Sequence, residues 1–181
     1  MSLSTQNKPT STSEKVRELC IFAMLGALMF CSKLLMEALP NIHLLGMLTM
    51  TYTLAFRRKA LIPIYLYVLL NGVLAGFSAW WLPYTYIWTL LWGATMLLPQ
   101  NMSPNLKKMV YPLVCCLHGL AFGTLYAPAQ AIMFGLNFEQ TIAWIIAGLP
   151  YDLIHAVGNL ALGLLVQPLS ELLIKLSKKQ I

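Results

Sequence analysis

The chain has 181 residues, of which 59% are hydrophobic and 10% charged, and its net charge is +6; the mean hydropathy is +0.70. An ordinary soluble domain carries about 25% charged residues, so the composition excludes a soluble globular fold and specifies an all-α integral membrane protein. The basic residues lie in small groups between apolar segments rather than along one face, a pattern of topology signals and contacts with membrane lipid, not of a nucleic-acid partner.

Each spanning helix needs about 20 apolar residues, which leaves room for roughly six spans joined by short loops. Residues 1–13, MSLSTQNKPTSTS, are polar and cannot bury enough surface to order themselves. They are expected to form a disordered cytoplasmic tail ahead of a membrane domain over 14–181. Apolar runs bounded by charges or by Pro and Asn clusters predict spans at about 16–39, 43–56, 60–79, 83–98, 109–133 and 149–174. The first lacks an A-x-A cleavage site, as a retained span would. Between the last two, LNFEQTIAWIIAG over 136–148 predicts a short interfacial helix, a lid-like connection before the sixth span starts near Pro150.

Charge placement tests that count. Lys8, Lys15 and Arg17 precede the first span; Arg57, Arg58 and Lys59 separate the second and third; Lys107 and Lys108 separate the fourth and fifth; Lys175, Lys178 and Lys179 follow the sixth. The alternate loops, around 40–42, 78–83 and 134–141, contain no Lys or Arg. Cytoplasmic loops collect these residues, so both termini are expected in the cytoplasm.

With that orientation the unusual side chains gather in the outer half. Lys33 and Glu37 close the first span as an i,i+4 pair that can satisfy itself near the interface, and Asn41 and His43 follow. WWLPYTYIW, residues 80–88, holds five Trp and Tyr residues, more than an interfacial belt needs. Tyr84, Trp88 and Trp92 repeat every four residues along one face of the fourth span. Tyr126 and Gln130 end the fifth. In the sixth, Asp152, His155 and Asn159 stack on one helix face. An acid deep in a span costs about 3 kcal/mol on insertion scales, so such residues face a cavity or a partner. The stripe therefore predicts one wall of an outward-facing polar patch. His118 lies mid-span, where a neutral imidazole bonded across helices is expected.

The four cysteines, Cys20, Cys31, Cys115 and Cys116, lie in apolar segments without metal-ligand spacing and serve as small apolar fillers. No H-E-x-x-H, G-x-S-x-G or phosphate-loop motif occurs, so no catalytic residue, metal or cofactor is expected. Without a row of charges across the bilayer or an inverted repeat, the chain is no self-sufficient pump. Small residues one turn apart, Ala23/Ala27, Gly72/Gly76 and Gly119/Gly123, make strips for close helix packing.

Three of these features resemble one family: the A-x-x-x-A pair Ala23/Ala27, the fifth-span run HGLAFGTLYAPAQA, and LPYDLIHAVGNLALGLLVQPL in the sixth. Over about residues 15–178 the chain resembles the substrate-binding S components of energy-coupling factor (ECF) vitamin transporters, small six-span proteins of prokaryotic plasma membranes with both ends cytoplasmic. The resemblance implies a vitamin pocket formed by the outer loops and the last three spans. It further implies that Ala23 and Ala27 dock on a transmembrane coupling subunit, which two cytoplasmic ATPases drive so that the S component topples and releases its vitamin inside. The chain is most similar to the group assigned to hydroxymethylpyrimidine or vitamin B6.

Residue chemistry points the same way. A carboxylate vitamin would favour Arg or Lys at the outer site, where Lys33 stands alone. A neutral or weakly basic heteroaromatic ring suits this pocket, with Trp81, Tyr84 or Trp88 stacking on it, Gln130, Asp152, His155 or Asn159 hydrogen-bonding to it, and Tyr126 as a further substrate-binding candidate. The competing expectations are a membrane enzyme using Asp152 and His155 as an acid/base pair, which predicts turnover, and a scaffold that binds no small molecule.

Overall fold

The computed structural model describes residues 12–39 and 41–180. Among them the chain is all-helical: α1 (Thr12–Leu35), α2 (Leu45–Phe56), a 3-10 turn (Arg57–Ala60), α3 (Leu61–Ala75), α4 (Tyr84–Leu97), α5 (Pro104–Leu120), α6 (Phe122–Phe134), α7 (Phe138–Gly163) and α8 (Val166–Gln180). Four stretches are long and apolar enough to cross a membrane: Thr12–Leu35, Leu45–Ala75, Pro104–Phe134 and Phe138–Gly163. The second runs through Arg57, whose φ of 54° breaks the helix.

Contacts along α1 show that the chain turns back there. Phe56 stacks edge-on against Phe22 and the Tyr52 hydroxyl donates to the Leu25 carbonyl, so α2 runs antiparallel to α1. Lys59 pairs with Glu18 and Leu66 lies against Gly26, so α3 runs parallel to it. The turn is pinned to α4: the Arg57 guanidinium donates to the Met96 carbonyl, and the Arg57 carbonyl accepts from the Trp92 indole. Tyr65 donates to the Thr85 carbonyl and shares a hydroxyl bond with Thr89, which sets α4 antiparallel to α3. Successive segments thus alternate in direction, with α5–α6 acting as one long kinked segment against α7.

Polarity is distributed inside out. Thr49, Thr51, Thr53, Asn71, Thr95, Asp152, His155 and Asn159 are buried, while Met24, Met109, Ile132 and Val157 are more than half exposed. Water would drive the opposite arrangement; an apolar surround accepts this one. The short helix α2, buried from Leu45 to Thr53, is the central element, with α1, α4, α5, α7 and α8 around it. The apolar α7 gives way at Leu164–Leu165 to the amphipathic α8, which buries Val166 and Ser170.

Helix boundaries follow local chemistry. Ser103 caps α5 by accepting from the Leu106 amide, with Pro104 opening the helix. Gly135, at φ 65°, ends α6 in the left-handed region that glycine enters without strain. Asn137 and Gln140 then form a reciprocal capping box that starts α7. Consequently 136–148 is no separate interfacial helix: α7 begins at Phe138, continues through Pro150, and ends at Gly163, eleven residues before the expected end of the sixth span at 174. The expected tail over 1–13 lies outside the described residues except for Thr12 and Ser13, which open α1.

The glycine pairs divide. Gly119 and Gly123 do bring α5–α6 against α7, joined by Gly163, where a Cβ would lie 2.6 Å from Pro112 Cα. Gly72 instead makes room for the Phe77 and Trp81 rings, and Gly76, at φ 91° with open space around it, ends α3. Overpacking costs typically about 1–3 kcal/mol. Gly163→Ala is therefore expected to lower the thermal midpoint of the detergent-solubilised protein, whereas Gly158→Ala, whose Cβ would make an ordinary 3.4 Å contact with Ile42, leaves it near wild type. Equal midpoints for the two variants would show that Gly163 does not set the α5–α7 spacing.

Candidate functional site

At the end of the bundle opposite the Arg57–Lys59 turn, a cleft of about 200 Å³ opens between the end of α1, the α1–α2 connection, α4, α6 and α7. Lys33, Glu37 and Asn41 stand at its mouth, and His43, Tyr84, Phe122 and His155 line it further in. The Lys33 ammonium is 3.4 Å from the Glu37 carboxylate, so the mouth carries both charges and little net field. Typical pockets for drug-sized ligands begin at about 300 Å³; this one has room for roughly a single ring.

Aromatic and imidazole rings form the floor. His43 and His155 meet edge-on with centroids 4.6 Å apart, and Phe122 lies 4.9 Å from His155. Trp88 contacts His43 at 6.0 Å, Phe122 at 6.0 Å and His118 at 5.8 Å. All three histidines of the chain therefore converge on one place, although they come from the first connection, α5 and α7. The sequence left His43 and His118 outside the site, and it carried no signal at all for Phe122. His43, ahead of α2, is lowered to about 4, chiefly by burial, so its ring is neutral.

Several polar atoms here have no partner. His43 Nδ1, His118 Nδ1, His155 Nε2 and Trp88 Nε1 are buried without a hydrogen bond. Leaving such a group unsatisfied costs about 1–3 kcal/mol, and native structures tolerate few without a reason. A concentration of them around one cleft marks a place where a polar ligand gains bonds.

The structure sorts the residues expected at the site. Tyr84, Trp88 and His155 come together. Tyr126 stands beside them, 6.3 Å from Phe122 and stacked on Trp144, with its hydroxyl committed to the Trp80 carbonyl. Trp81 turns away to donate to the Val68 carbonyl of α3, and Trp92, at the far end, serves the Arg57 turn. Gln130, half-buried on α6, does not border the cleft.

Asp152 and Asn159 have bonds of their own in the helix seam. Both Asp152 oxygens accept from the Gly123 amide, at 3.0 and 3.1 Å, so the carboxylate caps the first turn of α6 just past the break at Ala121. Asn159 Nδ2 donates to the Cys115 carbonyl at 3.2 Å, while its Oδ1 is without a partner. The stripe along α7 thus splits: Asp152 and Asn159 tie α7 to α5–α6, and His155 between them faces the cleft. Among the described residues no group of three His, Cys, Asp or Glu side chains could hold a metal ion. A second cleft, about 310 Å³, lies at the Arg57 end, bordered by Arg57, Lys107, Tyr111 and Glu171; it lacks the ring cluster.

Hydrogen bonds to charged groups contribute about 1.5–3 kcal/mol. Asp152→Ala is expected to lower the thermal midpoint, followed by loss of helicity, and Asp152→Asn to lose less because the amide oxygen still accepts from Gly123. Wild-type midpoints in both variants would mean that the Gly123 bond contributes nothing.

Compared with protein-family models, curated proteins and solved structures, the chain matches none.

Proposed function

We propose that the chain is a six-span membrane protein of a prokaryotic plasma membrane, with both termini cytoplasmic, and that it captures a small heteroaromatic vitamin or precursor for an ECF-type importer. The six crossings are α1, α2, α3, α4, α5–α6 and α7. In support, the Arg57–Lys59 turn, Lys107, the start of α1 and the last turns of α8 lie at one end of the bundle, as the positive-inside rule requires. Helices α2 and α4, about 18 and 21 Å long at 1.5 Å per residue, are shorter than a hydrocarbon core of about 30 Å. Helix α2 is enclosed by its neighbours, where lipid does not set the length, and α4 buries the face that carries Ile87, Trp88, Leu91 and Thr95.

One observation carries the capture reading: a cleft at the outer end with room for about one ring, floored by aromatic side chains and by imidazoles whose nitrogens lack partners. Stacking surface plus a few convergent polar groups is what a small heteroaromatic ligand requires. Hydroxymethylpyrimidine and pyridoxine each pair a flat ring with acceptor nitrogens and donor groups. The ligand is held and handed on, not converted. An acid/base pair of Asp152 and His155 has little support, since both Asp152 oxygens face the Gly123 amide.

Energy for uptake then comes from a transmembrane coupling subunit and two cytoplasmic ATPases. Ala23 and Ala27 are both exposed on α1, which keeps the small-residue strip open for close approach of a partner helix.

Titration of the purified protein with hydroxymethylpyrimidine, pyridoxine, pyridoxal, thiamine, pantothenate and biotin, followed by tryptophan fluorescence, is expected to give saturable quenching by one of the first three. Folded protein with no response to any compound would end the capture reading. Ala23→Trp is expected to leave that quenching intact and abolish cellular uptake; unchanged uptake would remove the docking assignment.

A further inference from the structure

Behind the cleft floor lies a second tier of side chains. Trp88 touches His43, Tyr84 and Phe122 of the cleft, and it is also 6.1 Å from Tyr67 of α3 and 5.8 Å from His118 of α5, which itself lies 6.1 Å from Phe122. The tier is sealed: Trp88 is 1% exposed, Tyr67 0% and His118 8%. Nevertheless the Trp88 indole nitrogen, the Tyr67 hydroxyl and His118 Nδ1 have no partner, and neither does Asn71 Nδ2, one turn along α3 from Tyr67.

Several other polar rings of this bundle are paired. The hydroxyls of Tyr52, Tyr65, Tyr86 and Tyr126 each donate to a backbone carbonyl, as do the indoles of Trp81 and Trp92. Among the described residues, the ring groups buried without a partner, those of His43, Tyr67, Trp88, His118 and His155, all lie on or around Trp88, and a sealed tier with no ligand to meet is better filled by Phe or Leu.

The available atoms define a complementary ligand. The Trp88 indole can only donate, and the Tyr67 hydroxyl can do either. His118 Nε2 lies 3.3 Å from the Ile87 carbonyl and must carry the proton there, which leaves Nδ1 as a bare acceptor. No Lys, Arg, Asp or Glu stands in this tier: Lys33 and Glu37 are at the mouth, and the Asp152 carboxylate is turned to Gly123.

Building on the capture reading, we infer that the ligand passes the His43–Phe122 floor and comes to rest against Trp88, Tyr67 and His118. This inner tier takes a neutral ring bearing both an acceptor and a donor, and rejects the anionic form of the same ring. An acceptor such as a ring nitrogen meets the Trp88 indole, and an amine or hydroxyl donates to His118 Nδ1. A carboxylate there would be buried without a cation, which is strongly unfavourable.

The test uses the full-length purified protein with pyridoxine and hydroxymethylpyrimidine, and with the carboxylates obtained by oxidising one hydroxymethyl group of each. Tyr67→Phe deletes only the unpaired hydroxyl. Its thermal midpoint should equal or exceed that of wild type, while binding of the neutral ring weakens by about tenfold, the effect of one lost hydrogen bond. Trp88→Phe, a second variant, should weaken binding similarly and remove most of the ligand-induced quenching. Each carboxylate should bind at least about 100-fold more weakly than its alcohol. Wild-type affinity in both variants, or carboxylates that bind as well as the alcohols, overturns the inner tier and leaves capture in the outer cleft standing. A wild-type protein that binds neither alcohol ends the capture reading and this inference together.

Discussion

The contact between the Asp152 carboxylate and the Gly123 amide organises the half of the molecule that holds the cleft. The α5–α6 segment breaks at Ala121, which leaves amides of the new first turn needing acceptors. Asp152 supplies one from α7, and can do so only because Gly123 has no side chain: a Cβ there would lie 2.5 Å from a carboxylate oxygen. Gly119 and Gly163 extend the same close approach in both directions. Once α7 is held at this depth, His155 is set one turn along from Asp152, against Phe122 and His43. The acid acts on the cleft by placing the helix that lines it.

The other half depends on α2. Its residues from Leu45 to Thr53 are all buried, yet it contains Thr49, Thr51 and Thr53. Thr53 returns its hydroxyl to the Thr49 carbonyl at 2.6 Å, and Thr51 to the Met47 sulfur at 3.6 Å, so much of this polarity is satisfied within the helix itself. Such a helix can occupy the axis of a bundle whose outer faces are apolar. Arg57 locks its lower end to α4 through two bonds, and His43 at its upper end reaches the ring cluster. The path from the cationic turn to the cleft is therefore a short, fully packed element.

Much of this was legible in the sequence because it follows from composition and spacing. The apolar runs, the alternation of Lys and Arg between loops, and the three- and four-residue spacing of Asp152, His155 and Asn159 led to a helical membrane architecture and a polar face on α7. What could not be read depends on long-range partners. His43 and His155 are 112 positions apart (155 − 43), and nothing local joins them. Phe122 lies in an apolar run, where a Phe signals burial and no more. The partners of Asp152 and Asn159 are backbone groups, invisible to a search for side-chain constellations. Trp81 and Trp88 share one aromatic stretch, but the turn before α4 sends the first toward α3 and the second inward. The start of α7 was available in the N-x-x-Q capping pattern at Asn137–Gln140; Pro150 drew the boundary instead, although a long apolar helix can carry a proline in its interior.

The pairing of Lys33 with Glu37 at the mouth bears on how the cleft fills. Charged clefts concentrate ions of opposite sign and speed their arrival, at rates that collapse as salt rises. Here the one cation lining the cleft, Lys33, is paired with an acid one helical turn away, and no other charged side chain lines it. An approaching solute meets no long-range pull, so encounter proceeds by unassisted diffusion at any ionic strength. Any discrimination at this cleft therefore falls on short-range fit.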